Sequence, residues 1–152
     1  MPDLRRATLS DAAAIRDLTR AAYAKWVALI GREPKPMTAD YTLAVRNHLI
    51  DLLYDDVVLA GLIETIPQPD HLLIENVAVA PAFHGRGFGT QLMAHAERLA
   101  TSLGLAQIKL YTNVLFIENV QLYRKLGYEV EREEAFREAS KAGVIVHMCK
   151  AI

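Results

Sequence analysis

Gly85, Gly87 and Gly89 alternate in the stretch His84-Gly85-Arg86-Gly87-Phe88-Gly89-Thr90. With no Cβ at those positions the backbone can curl until several N–H groups point the same way. Such a nest binds phosphate oxygens. The other residue whose setting suggests chemistry is Glu75, a carboxylate in an otherwise apolar neighbourhood. Burial there would raise its pKa toward the range a general base needs. The alternative is a structural carboxylate bonded to backbone or to an arginine.

Specific elements must position these groups. The apolar run from about His71 to Val79 reads as a strand, closed by Pro81. After the glycines, Leu92, Met93, Ala96, Leu99, Ala100 and Leu103 recur at spacings of three and four and make one apolar helix face. Gly104 stops that helix. The glycine turn therefore sits at the positive end of a helix dipole, which adds to its preference for an anion.

Two nucleotide motifs do not fit the turn. A P-loop needs Lys and then Ser or Thr after its last glycine, and Thr90 follows Gly89 directly. The dinucleotide fingerprint needs a third glycine where Thr90 or Leu92 stands. A strand-to-helix turn without a ligand remains the plain alternative on the glycines alone.

The turn resembles the acyl-CoA loop of the GNAT family of N-acetyltransferases. That loop reads Gln or Arg, two variable residues, Gly, one variable residue, then Gly or Ala, after a strand of the form V-x-V-x-P. Here VAVAP runs from Val77 to Pro81, and His84 stands where Gln or Arg is usual. Near the C-terminus, NVQLYRKLGYEVE from Asn119 to Glu131 is similar to the family's last helix and following strand, where L-Y-x-x-x-G-[FY] recurs.

The resemblance implies an α/β fold of GNAT type. Its central mixed, mostly antiparallel sheet splays between strands four and five and carries helices on both faces. It also implies an acetyl-CoA-dependent N-acetyltransferase that moves the acetyl group to a primary amine by direct attack in a ternary complex. The alternative from another class is an acyl-CoA-binding sensor or partner module that has lost catalysis.

The same resemblance assigns roles residue by residue. Glu75 matches a family base, Tyr123 the acid that approaches the CoA sulfur, and the Val77 backbone N–H the oxyanion donor. Val77, Val79, His84, Gly85, Arg86, Gly87, Phe88, Gly89, Thr90, Asn119 and Tyr123 would bind the cofactor. Tyr23, Trp26, Arg32, Met37 and Tyr41 lie in the region that lines the family's acceptor pocket. A second family Asn is replaced here by Phe116. The pantetheine arm would lie between Val77–Val79 and Leu110–Thr112. On the residues alone, the alternative for Tyr123 is a packing aromatic, and Arg86 could equally be a solvated loop arginine.

The rest of the chain reads as a single domain over 1–152. A strand at Leu4–Thr8 precedes a helix from about Ala12 to Ile30, capped by Ser10 or Asp11 and ended by Gly31. REPKPMTAD reads as a loop or broken helix. Strands at about Asn47–Tyr54 and Val57–Ile66 flank a turn at Asp55-Asp56. Further on we expect a strand at Gln107–Thr112, a helix at Glu118–Leu126 stopped by Gly127, and strands at Tyr128–Arg132 and Val144–Lys150.

Composition narrows the partners. Lys plus Arg number 17 against 18 Asp plus Glu, so no global field attracts nucleic acid or an anionic membrane. The expected partner is a small-molecule or peptide amine, with a homodimer possible because dimers are common in the family. The charged N-terminus lacks a signal-peptide core, and no apolar run approaches bilayer length, so a cytoplasmic location is expected. His48, His71, His84, His95 and His147 show no metal-ligand spacing, and no metal is expected. Cys149 lies in an apolar run and reads as core packing rather than a nucleophile. The acidic segment Glu129–Glu138 would favour a cationic amine if it overhung the acceptor groove, but such a run is more often a solvated face.

Overall fold

The computed structural model describes residues 2–135 and 143–152. Arg137 and Glu138, the last charges of the acidic segment, lie outside them. In chain order the elements are β1 (Asp3–Arg6), α1 (Ala12–Ile30), α2 (Tyr41–Asn47), β2 (Leu49–Asp55), β3 (Val58–Pro67) and β4 (Leu72–Val79). There follow α3 (Phe88–Ser102), β5 (Gln107–Asn113), α4 (Ile117–Lys125), β6 (Glu129–Ala135) and β7 (Val144–Ala151). The strands form one sheet in the order β1-β2-β3-β4-β5-β7-β6. Only β4 and β5 run parallel. This is the splayed, mixed sheet that the resemblance to the GNAT family implied.

Helices cover both faces because each is apolar on one side. Leu92, Met93, Ala96 and Ala100 of α3 share a core with Leu72, Ile74, Ile108, Leu110 and Met148. Tyr123 of α4 joins that core. On the other face, Ile15 and Leu18 of α1 and Tyr41 and Ala44 of α2 pack on Ile50, Leu52, Leu62 and Ala78. Full burial of one such leucine or isoleucine contributes roughly 1.5–3 kcal/mol.

The segment before β2 differs from the sequence expectation. A 3-10 turn at Lys35–Met37 leads into α2, which continues to Asn47, so the strand starts at Leu49 rather than near Asn47. The cause is a local cap: Asp40 Oδ1 accepts from the N–H groups of Thr42 and Leu43. Strand β6 also runs on to Ala135, beyond the expected Arg132, by pairing with β7 as far as Val144.

A bulge in β4 shapes the centre of the sheet. Glu64 pairs with Asn76 and Thr65 with Ile74, leaving Glu75 as the extra residue. The side-chain alternation therefore reverses there. Leu72 and Ile74 face the α3 core, whereas past the bulge Val77 and Val79 take that side and Ala78 faces α1 and α2. Glu75 and Asn76, although consecutive, line the same cavity on the α1 and α2 face.

The sheet is tight beside this point. A Cβ at Gly61 would lie 3.0 Å from the Ala78 carbonyl oxygen and 3.1 Å from Leu92 Cδ1. Since the nearer obstacle is backbone of β4, Gly61→Ala is expected to cost about 1–3 kcal/mol through overpacking. At this chain length that lowers the melting temperature by roughly 2–4 °C per kcal/mol. An unchanged melting temperature would show that β3 and β4 can move apart freely.

Candidate active site

The β4–β5 ladder is short: Leu72 pairs with Ile108, Leu73 with Lys109 and Ile74 with Leu110. Beyond Ile74, β4 continues to Val79 beside β3, while β5 continues to Asn113 beside β7. The direction of the freed backbone groups follows from the β3 side. Ala80 N–H bonds Ala60 O at 2.8 Å, so bonded pairs alternate from there. The pairs Gly61–Val79 and Ile63–Val77 are then the non-bonded ones. The N–H and C=O groups of Val77 and Val79 thus point away from β3 into the gap. His84 Nε2 donates to Val79 O at 2.9 Å, and the Tyr23 hydroxyl, whose one proton goes to Asn76 Oδ1 at 2.9 Å, lies 3.4 Å from Val77 O. The histidine in place of the usual Gln or Arg therefore closes the loop onto the strand end.

A cleft of about 320 Å³ opens over this edge. It is lined by Val77 and Val79 of β4, by His84, Gly85, Gly87, Phe88 and Gly89 of the loop, and by Glu118, Asn119, Leu122 and Tyr123 of α4. Gly85 and Gly87 have φ of 79° and 78°, the left-handed region that L side chains rarely enter, and Gly87 caps α3. The first backbone bond of α3 runs from Gln91 N–H to Gly87 O. The amides of Phe88, Gly89 and Thr90 consequently have no partner within the helix. A group with anionic and amide-accepting parts fits these donors.

Tyr123 is buried against the edge of the Tyr128 ring, with centroids 6.2 Å apart. Burial pushes its phenol well above the ordinary value. Among the described residues no hydrogen bond reaches its hydroxyl, and the residue lines the cleft. Arg86 points elsewhere, 3.6 Å from Asp55 and over the Phe83 ring.

On the opposite side of β4 lies a second cavity of about 250 Å³, lined by Lys35, Pro36, Ala39, Asp40, Tyr41, Leu43, Ala44, Asn47, His48, Glu64, Glu75 and Asn76. Glu75 is 19% exposed there, accepts the Tyr111 hydroxyl, and has Lys35 Nζ 3.8 Å away. Burial and the Glu75 carboxylate hold the Tyr111 phenol far above its usual range. Burial likewise pushes Tyr41 up to about 12.

Cleft and cavity meet at a buried polar chain. Tyr23, which lines the cleft, donates to Asn76 Oδ1 at 2.9 Å. Asn76 Nδ2 donates to Thr19 Oγ1 and Tyr41 Oη, each at 3.3 Å, and Tyr41 donates to Pro36 O at 2.6 Å. Burial raises the Tyr23 phenol strongly, with Tyr123, Tyr41, Tyr111 and Glu64 adding to the shift, so groups from both spaces act on it.

The five residues expected to shape the acceptor pocket separate. Tyr41 lines the second cavity, Tyr23 and Trp26 line the cleft, Met37 is buried in the core, and the Arg32 side chain bonds Ile30 O. Phe116, which replaces a polar family residue, stacks on Trp26 with centroids 4.4 Å apart. Among the described residues of the acidic run, Glu131 pairs with Lys109 and Glu134 with His147 and Arg132, and none of these lines the cavity. Sequence reasoning missed Lys35, His48, Glu64, Asn76 and Tyr111. Glu64 carried a signal, because it stands in apolar β3 just as Glu75 stands in β4.

Gly87→Ala tests the loop. A Cβ there meets open space, so the cost is conformational, about 1–2 kcal/mol for a non-glycine residue in the left-handed region. The expected outcome is at least about tenfold weaker CoA binding by calorimetry, because a reshaped turn misdirects its amides. Unchanged affinity would remove the turn from the site.

Residues 13–128 match the Acetyltransferase (GNAT) family. The chain belongs to this family of acetyltransferases. It is 37% identical over 71 residues to mouse N-alpha-acetyltransferase 80, a stretch covering 47% of this chain and 21% of the mouse protein. It is 34% identical over 76 residues to the uncharacterized N-acetyltransferase YvbK of Bacillus subtilis strain 168, covering 48% of each. The aligned stretches thus span half or less of these relatives.

Solved structures share the fold at lower identity. The PaiA N-acetyltransferase of Thermoplasma acidophilum in complex with coenzyme A superposes with a TM-score of 0.82 at 17% identity, over 100% of this chain and 99% of that one. A GNAT family acetyltransferase of Elizabethkingia anophelis with acetyl-CoA bound gives 0.79 at 15% identity, over 99% and 98%. Among the described residues no helix is long and apolar enough to cross a membrane.

Proposed function

We propose that this chain transfers the acetyl group of acetyl-CoA to a primary amine by direct attack in a ternary complex. The observation that carries the reading is the splayed edge of β4, whose Val77 and Val79 amides face a cleft while Glu75 faces a cavity on the other side. Acetyl-CoA supplies a thioester carbonyl that an unprotonated amine can attack.

The residues divide the remaining work. Amides from Gly85 to Thr90 bind the diphosphate at the start of α3. Val79 N–H holds the pantetheine arm, and Val77 N–H stabilises the charge that develops on the carbonyl oxygen. Glu75 removes the proton of the incoming ammonium, and the Tyr123 hydroxyl, kept protonated by its burial, donates to the departing sulfur. The Tyr23–Asn76 bond fixes α1 against β4 where the two spaces meet.

Thiol release from acetyl-CoA in the presence of a panel of primary amines tests the proposal. Amine-dependent release supports it. Affinity for acetyl-CoA with no release by any amine would make the chain a binding module instead.

A further inference from the structure

Resting on the acetyl-transfer reading, we infer that the acceptor carries a second positive charge, held by Glu64 in the cavity that Glu75 lines. The class of substrate is a small diamine, or an amine bearing another cationic group at similar reach.

Glu64 is only 3% exposed, yet it lines the cavity. Its Oε2 meets His48 Nδ1 at 2.5 Å. Among the described residues no hydrogen bond reaches its Oε1. That oxygen is not among the enclosed, unpaired side-chain atoms of the described residues, so it opens to the cavity, where an arriving ammonium can donate to it. Burial pushes the Glu64 carboxyl above its ordinary value and the nearby Glu75 charge adds to this, with His48 opposing both. A bound cation would act in the same direction as His48.

The surroundings select against other acceptors. Three carboxylates, Asp40, Glu64 and Glu75, line the cavity, against Lys35 and His48. Asp40 is occupied in capping α2. Lys35 is held loosely: its side chain is 75% exposed, and its ammonium stands 3.8 Å from Glu75 and 5.9 Å from the centre of the Tyr111 ring. That ammonium shows that the Glu75 end accommodates a cation, and its exposed stem lets it swing away when an acceptor enters.

The separation suits a short chain. Glu64 and Glu75 sit on adjacent strands, which lie about 4.7–4.9 Å apart, and are offset by one residue because Glu64 pairs with Asn76. Pro36, Ala39, Leu43 and Ala44 supply apolar wall for the methylenes between two amines. An acceptor carboxylate would face Glu64 and Glu75 together. A monoamine would leave Glu64 Oε1 unpaired.

Steady-state acetylation of butylamine, diaminobutane and γ-aminobutyrate tests the inference. For the unaltered protein the expected order of kcat/KM is diaminobutane first, by about tenfold or more over butylamine, the worth of one charge-assisted hydrogen bond, with γ-aminobutyrate last. In Glu64→Gln the diaminobutane-to-butylamine ratio should fall toward one, chiefly through KM for the diamine. Its melting temperature and CoA affinity, measured alongside, separate that result from misfolding. If the unaltered protein acetylates butylamine or γ-aminobutyrate as well as diaminobutane, the inference is overturned and acetyl transfer stands. If the ratio survives in folded Glu64→Gln, Glu64 is not the selecting residue and the inference is overturned as well. No thiol release with any amine overturns both readings.

Discussion

Replacing Glu75 by glutamine is expected to lower kcat about 100-fold or more at neutral pH, the usual contribution of a positioned general base. Glutamine keeps the shape of the side chain, and its carbonyl oxygen can still accept the Tyr111 hydroxyl, so the bulge in β4 should persist. What disappears is the capacity to take a proton from the acceptor. Because Glu75 lines the second cavity and not the cleft, CoA affinity measured by calorimetry should stay within a factor of about two. A loss of kcat smaller than threefold would make Glu75 a structural carboxylate held by Tyr111 and Lys35.

Tyr123→Phe should lower kcat by a comparable factor, about 100-fold, while the melting temperature holds. The two effects separate because the ring does the packing and the hydroxyl does the chemistry. The ring lies in the α3-side core against Tyr128, and phenylalanine preserves that. The hydroxyl has no hydrogen-bond partner among the described residues and is not among their enclosed, unpaired atoms, so removing it breaks no bond within the protein. The direction of its pKa adds a second readout. An exposed phenol is half ionised near pH 10. Tyr123 is displaced above that value by burial, so it remains a donor there. The kcat profile of the unaltered protein should show no falling limb from this group up to about pH 10. A variant as active as the parent would reduce Tyr123 to a packing aromatic.

The sequence carried the fold where spacing and glycine chemistry are local. The apolar face of α3, the left-handed glycines at its start and the L-Y-x-x-x-G-[FY] segment needed no tertiary information. Glu75 could be placed on β4 from its apolar neighbours, but its exposed direction could not, because the bulge depends on pairing with β3. Likewise, α2 lies in a segment without apolar periodicity and starts at the Asp40 cap. The acceptor side was least legible. Lys35, His48 and Glu64 come from three separate segments and meet only in the folded chain at one cavity, where Tyr111 of β5 reaches Glu75. Of the five residues nominated from the loop region, Tyr41 alone lines that cavity, since the long helix α1 turns Tyr23 and Trp26 toward the cleft instead.

The central claim is that backbone amides freed at the end of the β4–β5 ladder, together with those opening α3, hold the cofactor. Titrating CoA into isotopically labelled protein and following each backbone amide by NMR tests this directly. The largest shifts should fall on Val77, Val79 and the residues from Gly85 to Thr90, with β1 and β2 unmoved. Saturable binding that leaves Val77 and Val79 in place, or that moves amides only on the α2 side of the sheet, would contradict the account.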